Sequence, residues 1–243
     1  MDKVVVYSGT RKVYPDMVTA SKSLLANSKV DRIYFVTEDS KVKFPYYIPD
    51  FFKVINVAEQ KYFGPLSPNR HTDLTYMVLM RAAFHEIFPN EDVVLQLDCD
   101  TIVNGDISGL WDYDLTDYYF ACVKEPESCK GGKYPRPTIS DEYFNMGVAL
   151  MNLKKLRDGK GDRLIRQLNH VRYNANEQDC INQWCRGQIL EIPSDYNASE
   201  LWTAHTDNPI ITHYAGIRDW RSEKLWKEYE AMSYDEALNR GGY

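Results

Sequence analysis

No apolar run in this 243-residue chain approaches the roughly 20 residues that a membrane-spanning helix needs, which speaks against an integral membrane segment. No Cys-x-x-C spacing occurs either. The five cysteines, an odd number scattered through apolar segments, read as reduced, buried thiols of a cytosolic protein. Against a net charge of −6 no Lys/Arg block stands out, so nucleic acid is not an expected partner. Residues 223–243 are polar and mixed in charge, not a basic membrane-surface tail. The first apolar stretch begins at Lys3, leaving no room for a signal peptide, and a cytoplasmic location is expected. Internal repeats and low-complexity linkers are lacking too, which favours a single domain over residues 1–243.

What is present suits that reading. An apolar fraction of 44% with 13% aromatics can fill a sizeable core. Strands are expected at 3–7, 32–37, 52–57 and 92–97, with helices at 16–26 and 72–88. The long helix, apolar round most of its circumference and ended by Pro89, feeds directly into the strand at 92–97. Such alternation argues for an α/β fold whose sheet is largely parallel and covered on both faces. Farther on, strands are expected at 118–123, 188–192 and 210–214, an apolar segment at 142–152, and helices at 162–173 and 178–185. Helical remnants follow residue 214, and a Pro/Gly/Lys-rich loop covers 125–140.

The strand Val93-Val94-Leu95-Gln96-Leu97 runs into Asp98-Cys99-Asp100. Alternation of side chains along a strand points Asp98 and Asp100 the same way, at the carboxyl end where open α/β sheets bind ligands. Two carboxylates so placed repel each other and favour a divalent cation, and by extension a phosphorylated substrate. The competing reading is a strand-terminal turn with each Asp satisfying backbone amides. Asp112-Tyr113-Asp114 has the same spacing but no strand before it, and reads as a solvated turn. Cys99 should point to the face opposite the two aspartates and is not expected to be a metal ligand.

Four polar positions look costly to keep for packing alone. Arg81 lies on the apolar helix, where an unpaired guanidinium would cost several kcal/mol. It is either half of a structural ion pair or a forked phosphate contact. Asn145 interrupts an apolar run, and Gly147 beside it suggests that a ligand or backbone approaches closely. Glu177-Gln178-Asp179 opens a helix, where capping explains Asp179 well and Gln178 poorly. His213 ends an apolar strand. It is a satisfied core histidine or, beside two carboxylates, a ligand that tilts the metal preference toward manganese.

Together these positions resemble glycosyltransferase family 8, the retaining, nucleotide-sugar-dependent family of glycogenin and the lipopolysaccharide galactosyl- and glucosyltransferases. Leu97-Asp98-Cys99-Asp100-Thr101-Ile102-Val103 resembles its L-D-x-D-x-x-V metal motif, followed by the family-like Asp106-Ile107-Ser108-Gly109-Leu110-Trp111. Phe144-Asn145-Met146-Gly147-Val148 through Met151-Asn152-Leu153-Lys154-Lys155-Leu156-Arg157 is similar to its F-N-x-G-V and N-L-K segment. Glu177-Gln178-Asp179-Cys180-Ile181-Asn182 is similar to D-Q-D-x-x-N, and His213-Tyr214-Ala215-Gly216 to the start of H-Y-x-G-x-x-K-P-W.

The resemblance implies a GT-A fold, a Rossmann-like domain with a mixed, mainly parallel sheet. Residues 1–110 would form the nucleotide-sugar half, and 111–243 the acceptor half with the C-terminal metal-ligand segment. It implies transfer of a hexose, glucose or galactose, from a UDP-sugar to a glycan, lipid-linked or protein acceptor, with Mn2+ or Mg2+. Asp98, Asp100 and His213 would hold the metal. Arg81, Ser8, Thr10, Tyr14, Cys99, Gly216 and Arg218 would fall with the donor-binding residues, Tyr14 as the uracil-stacking partner. Asn145, Glu177 and Gln178 would line the sugar pocket. Retention would follow from same-face attack, with Gln178, a poor nucleophile, stabilising an oxocarbenium-like state.

Two departures stand out. Glu177 replaces the usual Asp, and after Gly216 the chain is one residue short and lacks Lys-Pro, with Arg218 a candidate for the lysine's role. Two rivals are kept. A non-catalytic nucleotide-sugar or glycan-binding protein on the same scaffold would show no metal-dependent UDP-sugar hydrolysis. A sugar-phosphate nucleotidyltransferase, suggested by Gly9-Thr10-Arg11 through Pro15, would release pyrophosphate, but it lacks the preceding glycine run. Self-glycosylation on one of 18 tyrosines would appear as mass steps of one hexose.

Overall fold

The structure, a computed structural model, describes residues 1–39, 44–70, 75–126, 142–199, 206–217 and 219–243. Nine strands are described, β1 Val4–Gly9, β2 Arg32–Thr37, β3 Phe52–Asn56, β4 Val93–Leu97, β5 Thr101–Val103, β6 Phe120–Lys124, β7 Phe144–Asn152, β8 Ile189–Glu191 and β9 Ile211–His213. The α-helices are α1 Tyr14–Asn27, α2 Phe84–Ile87, α3 Leu153–Leu156, α4 Lys160–His170, α5 Asn176–Trp184, α6 Lys224–Ala231 and α7 Tyr234–Gly241. Among the described residues no helix is long and apolar enough to cross a membrane.

Seven strands form one sheet in the order β3-β2-β1-β4-β7-β6-β8, and β5 pairs with β9 in a second. In the large sheet only β7 runs against its neighbours, so the sheet is mixed and mainly parallel. Alternation along β1 and β2 sends Val5, Tyr7, Ile33 and Phe35 into one core and Val4, Val6, Tyr34 and Val36 into the other. The first core is closed by α1, α6 and α7, whose Met17, Leu24, Trp226 and Tyr229 are buried. The second is closed by α4, α5 and the segment holding Met77 to Phe84. Helices thus cover both faces, as a buried parallel sheet requires.

Most expected elements are present, their ends moved by a few residues. The helix expected at 72–88 is the main correction. Residues 76–83 form a 3-10 helix, Tyr76–Ala83, and only Phe84–Ile87 is α-helical, while 71–74 lie outside the described residues. Over two turns an apolar pattern cannot separate three residues per turn from 3.6, and Thr75 makes no side-chain cap that would start an α-helix. Strand β5 and the 3-10 helix Ser194–Asn197 were not expected, and both build the site.

Candidate active site

Strand β4 ends at Leu97, and residues 98–100 form a turn, so alternation does not carry the two aspartates as expected. What joins them is the chain's next move. Asp98 N–H donates to the Gly147 carbonyl on β7 at 2.8 Å, and Thr101 Oγ1 to the Asp98 carbonyl at 2.8 Å. Then β5 pairs antiparallel with β9, setting Thr101 opposite His213, and Tyr214 N–H donates to the Asp100 carbonyl at 2.9 Å. This register holds His213 Nε2 3.2 Å from Asp100 Oδ1 and 3.7 Å from Asp98 Oδ2. One ligand atom from each residue lies within 4.8 Å of the others, a group that can hold a metal ion.

A backbone amide sets the imidazole's tautomer at one remove. Gly147 N–H donates to Asn145 Oδ1 at 2.9 Å, which makes that oxygen the acceptor for Asn197 Nδ2, also at 2.9 Å. The other end of the Asn197 amide, Oδ1, lies 2.8 Å from His213 Nδ1 and accepts its proton. In the neutral ring the lone pair is then at Nε2, toward the aspartates, as a metal ligand requires. Gly147 also makes the space: a Cβ there would sit 2.1 Å from His213 Cε1. Burial pulls the His213 pKa down, but the charges of Asp100 and Asp98 outweigh it and hold the ring above its ordinary value. Burial pushes Asp100 up, and His213 pulls it below the usual carboxylate range. A cation bound here competes with that proton.

Arg81 is held in a fork, Nη2 2.6 Å from Asp98 Oδ1 and Nη1 2.8 Å from Glu177 Oε1. Its side chain and that of Glu177 are each 5% exposed, and Asp98 Oδ1 also accepts from Gln96 Nε2 at 3.0 Å. Gln96 was missed in the sequence, although an amide inside Val93–Leu97 was a legible signal. Burial raises the Glu177 carboxyl to about 7, with Arg81 pulling the other way. Arg81 Nε and Glu177 Oε2 are buried with no hydrogen-bond partner among the described residues. Orphaned polar atoms beside a group that could hold a metal ion are what a polar ligand would satisfy.

The bulge in β7 aims the rest. Phe144 and Met146 share a core with Ala149 and Met151, while Val148 and Leu150 face the other, so alternation slips by one across Gly147. The β6 ladder is irregular at the same place, between Cys122 and Lys124. The slip lets Asn145 donate to Glu125 Oε1 at 3.1 Å and Gln178 Oε1 at 3.3 Å. Gln178 is anchored further: Oε1 accepts from Met146 N–H at 2.9 Å, and Nε2 donates to Tyr143 Oη at 3.2 Å and Glu125 Oε1 at 3.4 Å. Asn182 clips α5 to Phe144 through its N–H and C=O, and Asp179 accepts from Ala175 N–H, the capping role expected of it. Asn176, just before Glu177, sits at φ 48°, in the left-handed region that costs a non-glycine residue energy. Glu125 and Asn197 had no signal in the sequence, because each lies outside any motif and matters only through its partners.

The other expected residues are less concentrated. Ser8 and Thr10 end β1 half-buried, and Thr10 lines a cavity of about 450 Å³ with Arg11, Lys12, Glu38 and Thr75. Tyr14 is 3% exposed, packed in the core with its ring 5.1 Å from that of Phe44. Cys99 Sγ points back to the Ser8 carbonyl at 3.3 Å, and burial with the two aspartates pushes its thiol far up. Gly216 is exposed in the turn after β9 at φ 73°. Arg218 lies outside the described residues, as do 127–140 of the Pro/Gly/Lys-rich loop. Asp112 and Asp114 are exposed, and Asp114 Oδ1 accepts from Thr116, an ordinary turn.

The family model described as "Glycosyl transferase family 8" matches residues 4–229. The chain belongs to glycosyl transferase family 8. Glycosyltransferase GlyA of Streptococcus pneumoniae is 28% identical, over 96% of this chain and 34% of its own length. Lipopolysaccharide 1,2-glucosyltransferase of Escherichia coli is 26% identical, over 89% of this chain and 71% of its own. The chain spans about a third of the length of GlyA and of the Streptococcus gordonii glycosyl transferase Gly. Galactosyltransferase LgtC, solved with donor and acceptor sugar analogues, superimposes with a TM-score of 0.70 at 21% identity, covering 98% of this chain and 99% of LgtC. GlyE of Streptococcus pneumoniae TIGR4 gives 0.71 at 23% identity, covering 98% of this chain and 62% of GlyE. The fold of this family 8 chain is therefore GT-A.

Proposed function

We propose that this chain is a retaining, metal-dependent hexosyltransferase that takes glucose or galactose from a UDP-sugar and passes it to a glycan, lipid-linked or protein acceptor. The observation that carries this is the meeting of Asp98, Asp100 and His213 at one point, with the Arg81–Glu177 pair against Asp98. Family membership supports it, and the names of LgtC and the Escherichia coli relative support a hexose.

Asp98, Asp100 and His213 fit Mn2+ or Mg2+, two carboxylates and an imidazole with the lone pair aimed inward. Bound there, such a cation would neutralise the charge that develops on the departing diphosphate. Arg81 adds fixed positive charge at the same end, buried and held in place. Glu177 Oε2 is free to accept from a sugar hydroxyl, and the longer arm than Asp would bear on which sugar fits. Gln178 acts as a fixed dipole: its amide is held by Glu125, Tyr143, Asn145 and Met146, too constrained and too weakly basic for a nucleophile. That supports same-face attack, with the Gln178 oxygen near the sugar stabilising the oxocarbenium-like state. Residues 1–110 would hold the donor, and 111–243 the acceptor.

The test is UDP release from a panel of UDP-sugars, with Mn2+ and with chelator, on wild type and Asp100→Asn. Manganese-dependent release from one donor, lost in the variant, is the expected result. No UDP or UDP-sugar binding in either protein would overturn the assignment.

A further inference from the structure

A second histidine and two carboxylates meet away from the cleft, where α2 packs beside the start of α4. We propose that His85, Glu86 and Asp162 form a second divalent-cation site, of the Zn2+ type, clamping α2 to α4. One ligand atom from each of the three lies within 4.8 Å of the others. The site shares no residue with Asp98, Asp100 or His213, and the inference stands independently of the reading of that cleft.

The imidazole carries the argument. The His85 side chain is 3% exposed, and its Nδ1 lies 3.1 Å from the Ala82 carbonyl. A carbonyl only accepts, so Nδ1 bears the proton and the neutral ring presents its lone pair at Nε2. That lone pair faces Asp162 Oδ1 at 3.4 Å, acceptor against acceptor, with Glu86 completing the triangle. Such a face is satisfied by a cation between the atoms or by a second proton on the ring. A buried imidazole fixed by a backbone carbonyl, with its bare nitrogen toward carboxylates, is how proteins orient a zinc-ligating histidine. One imidazole and two carboxylates suit Zn2+ with water in the remaining position.

The surroundings are built for the ring. A Cβ on Gly161 would lie 2.3 Å from His85 Cε1 and 2.5 Å from both ring nitrogens, so glycine is required where α4 begins. The carboxylates are accessible, Glu86 at 38% and Asp162 at 61% exposure, which leaves an entry path. Among the described residues a competing cation is Lys61, whose Nζ is 3.9 Å from Glu86 Oε2 on a side chain 82% exposed. Such a surface pair contributes little. His85 lies one turn beyond Arg81 in the helical run from Tyr76 to Ile87, so a clamp here would also steady the helix that delivers Arg81.

Zn2+ titration by calorimetry on the full chain carrying Asp98→Asn and Asp100→Asn tests this, because the cleft is then disabled. One Zn2+ per chain is expected, with the melting temperature raised by roughly 5–10 °C at a hundredfold excess over Kd. Adding Glu86→Gln and Asp162→Asn, both accessible side chains whose loss leaves the fold intact, should weaken binding at least 10-fold and abolish the thermal shift. Zinc binding unmoved by these two changes, or no zinc bound at all, would overturn the proposal and leave His85 as a plain hydrogen-bond bridge between Ala82 and Asp162. Manganese-dependent UDP release by Glu86→Gln/Asp162→Asn alone reports on the cleft separately.

Discussion

The chain contains the same motif twice, fourteen residues apart, and among the described residues only one copy meets a histidine. Asp98-Cys99-Asp100 and Asp112-Tyr113-Asp114 have identical spacing. The first follows a buried strand and is met by His213 from a strand more than a hundred residues later. The second begins on the last residue of a short 3-10 helix, Ser108–Asp112, its carboxylates face water, and Asp114 closes a turn on Thr116. Spacing therefore says little about chemistry. What separates the two pairs is the wall behind them: a buried strand, an antiparallel partner carrying an imidazole, and an arginine brought against one carboxylate.

The sharpest break of that comparison is Asp100→Asn, which should lower manganese-dependent UDP release on the order of 10²–10³-fold, measured at saturating donor. Gly147→Ala attacks the partner strand instead. Its methyl would overlap the His213 ring, so a loss of about 1–3 kcal/mol in chemical denaturation should accompany a loss of metal binding. Asn197→Ala removes both the acceptor that orients His213 and the donor to Asn145 Oδ1, and should weaken Mn2+ affinity about 10–100-fold in a titration without donor.

Glu177→Gln sharpens the comparison through pH. A folded-state pKa of about 7 against an ordinary 4.5 means the folded protein prefers this carboxyl protonated. That contribution is complete below 4.5 and is lost as pH rises through 7. Wild type should lose at most about 3 kcal/mol of stability over this window, and the variant should lose less, read from denaturation midpoints at pH 5 and pH 8. At the small end, Asp112→Asn and Asp114→Asn should change UDP release by less than twofold and stability by about 0.5 kcal/mol or less. A large effect from either would mean that the second pair is not the inert turn it resembles.

The legible parts of the site are those whose chemistry contradicts their surroundings. Arg81 in an apolar helix, Asn145 in an apolar strand and His213 at the end of another each stood out, because a buried polar group demands a partner. Gln96 carried the same signal and was passed over. Tyr14 was ambiguous for the opposite reason, since an aromatic near a ligand-binding loop looks the same in sequence whether it stacks on a base or packs against Phe44. Glu125 and Asn197 were invisible, for a polar residue in a loop raises no contradiction until its partners are known.

By itself the sequence determined the parallel strands, the helices that cover them and the family, because apolar alternation and ordered motifs are local properties of a chain. It also determined which acidic pair stood at the end of a strand. The tertiary structure decided what that pair does. The β5–β9 register sets Thr101 opposite His213, and the slip at Gly147 turns Asn145 toward Asn197 and so orients the imidazole. Both depend on pairings between distant segments, and whether a strand keeps or slips its alternation is settled by the neighbour it packs against.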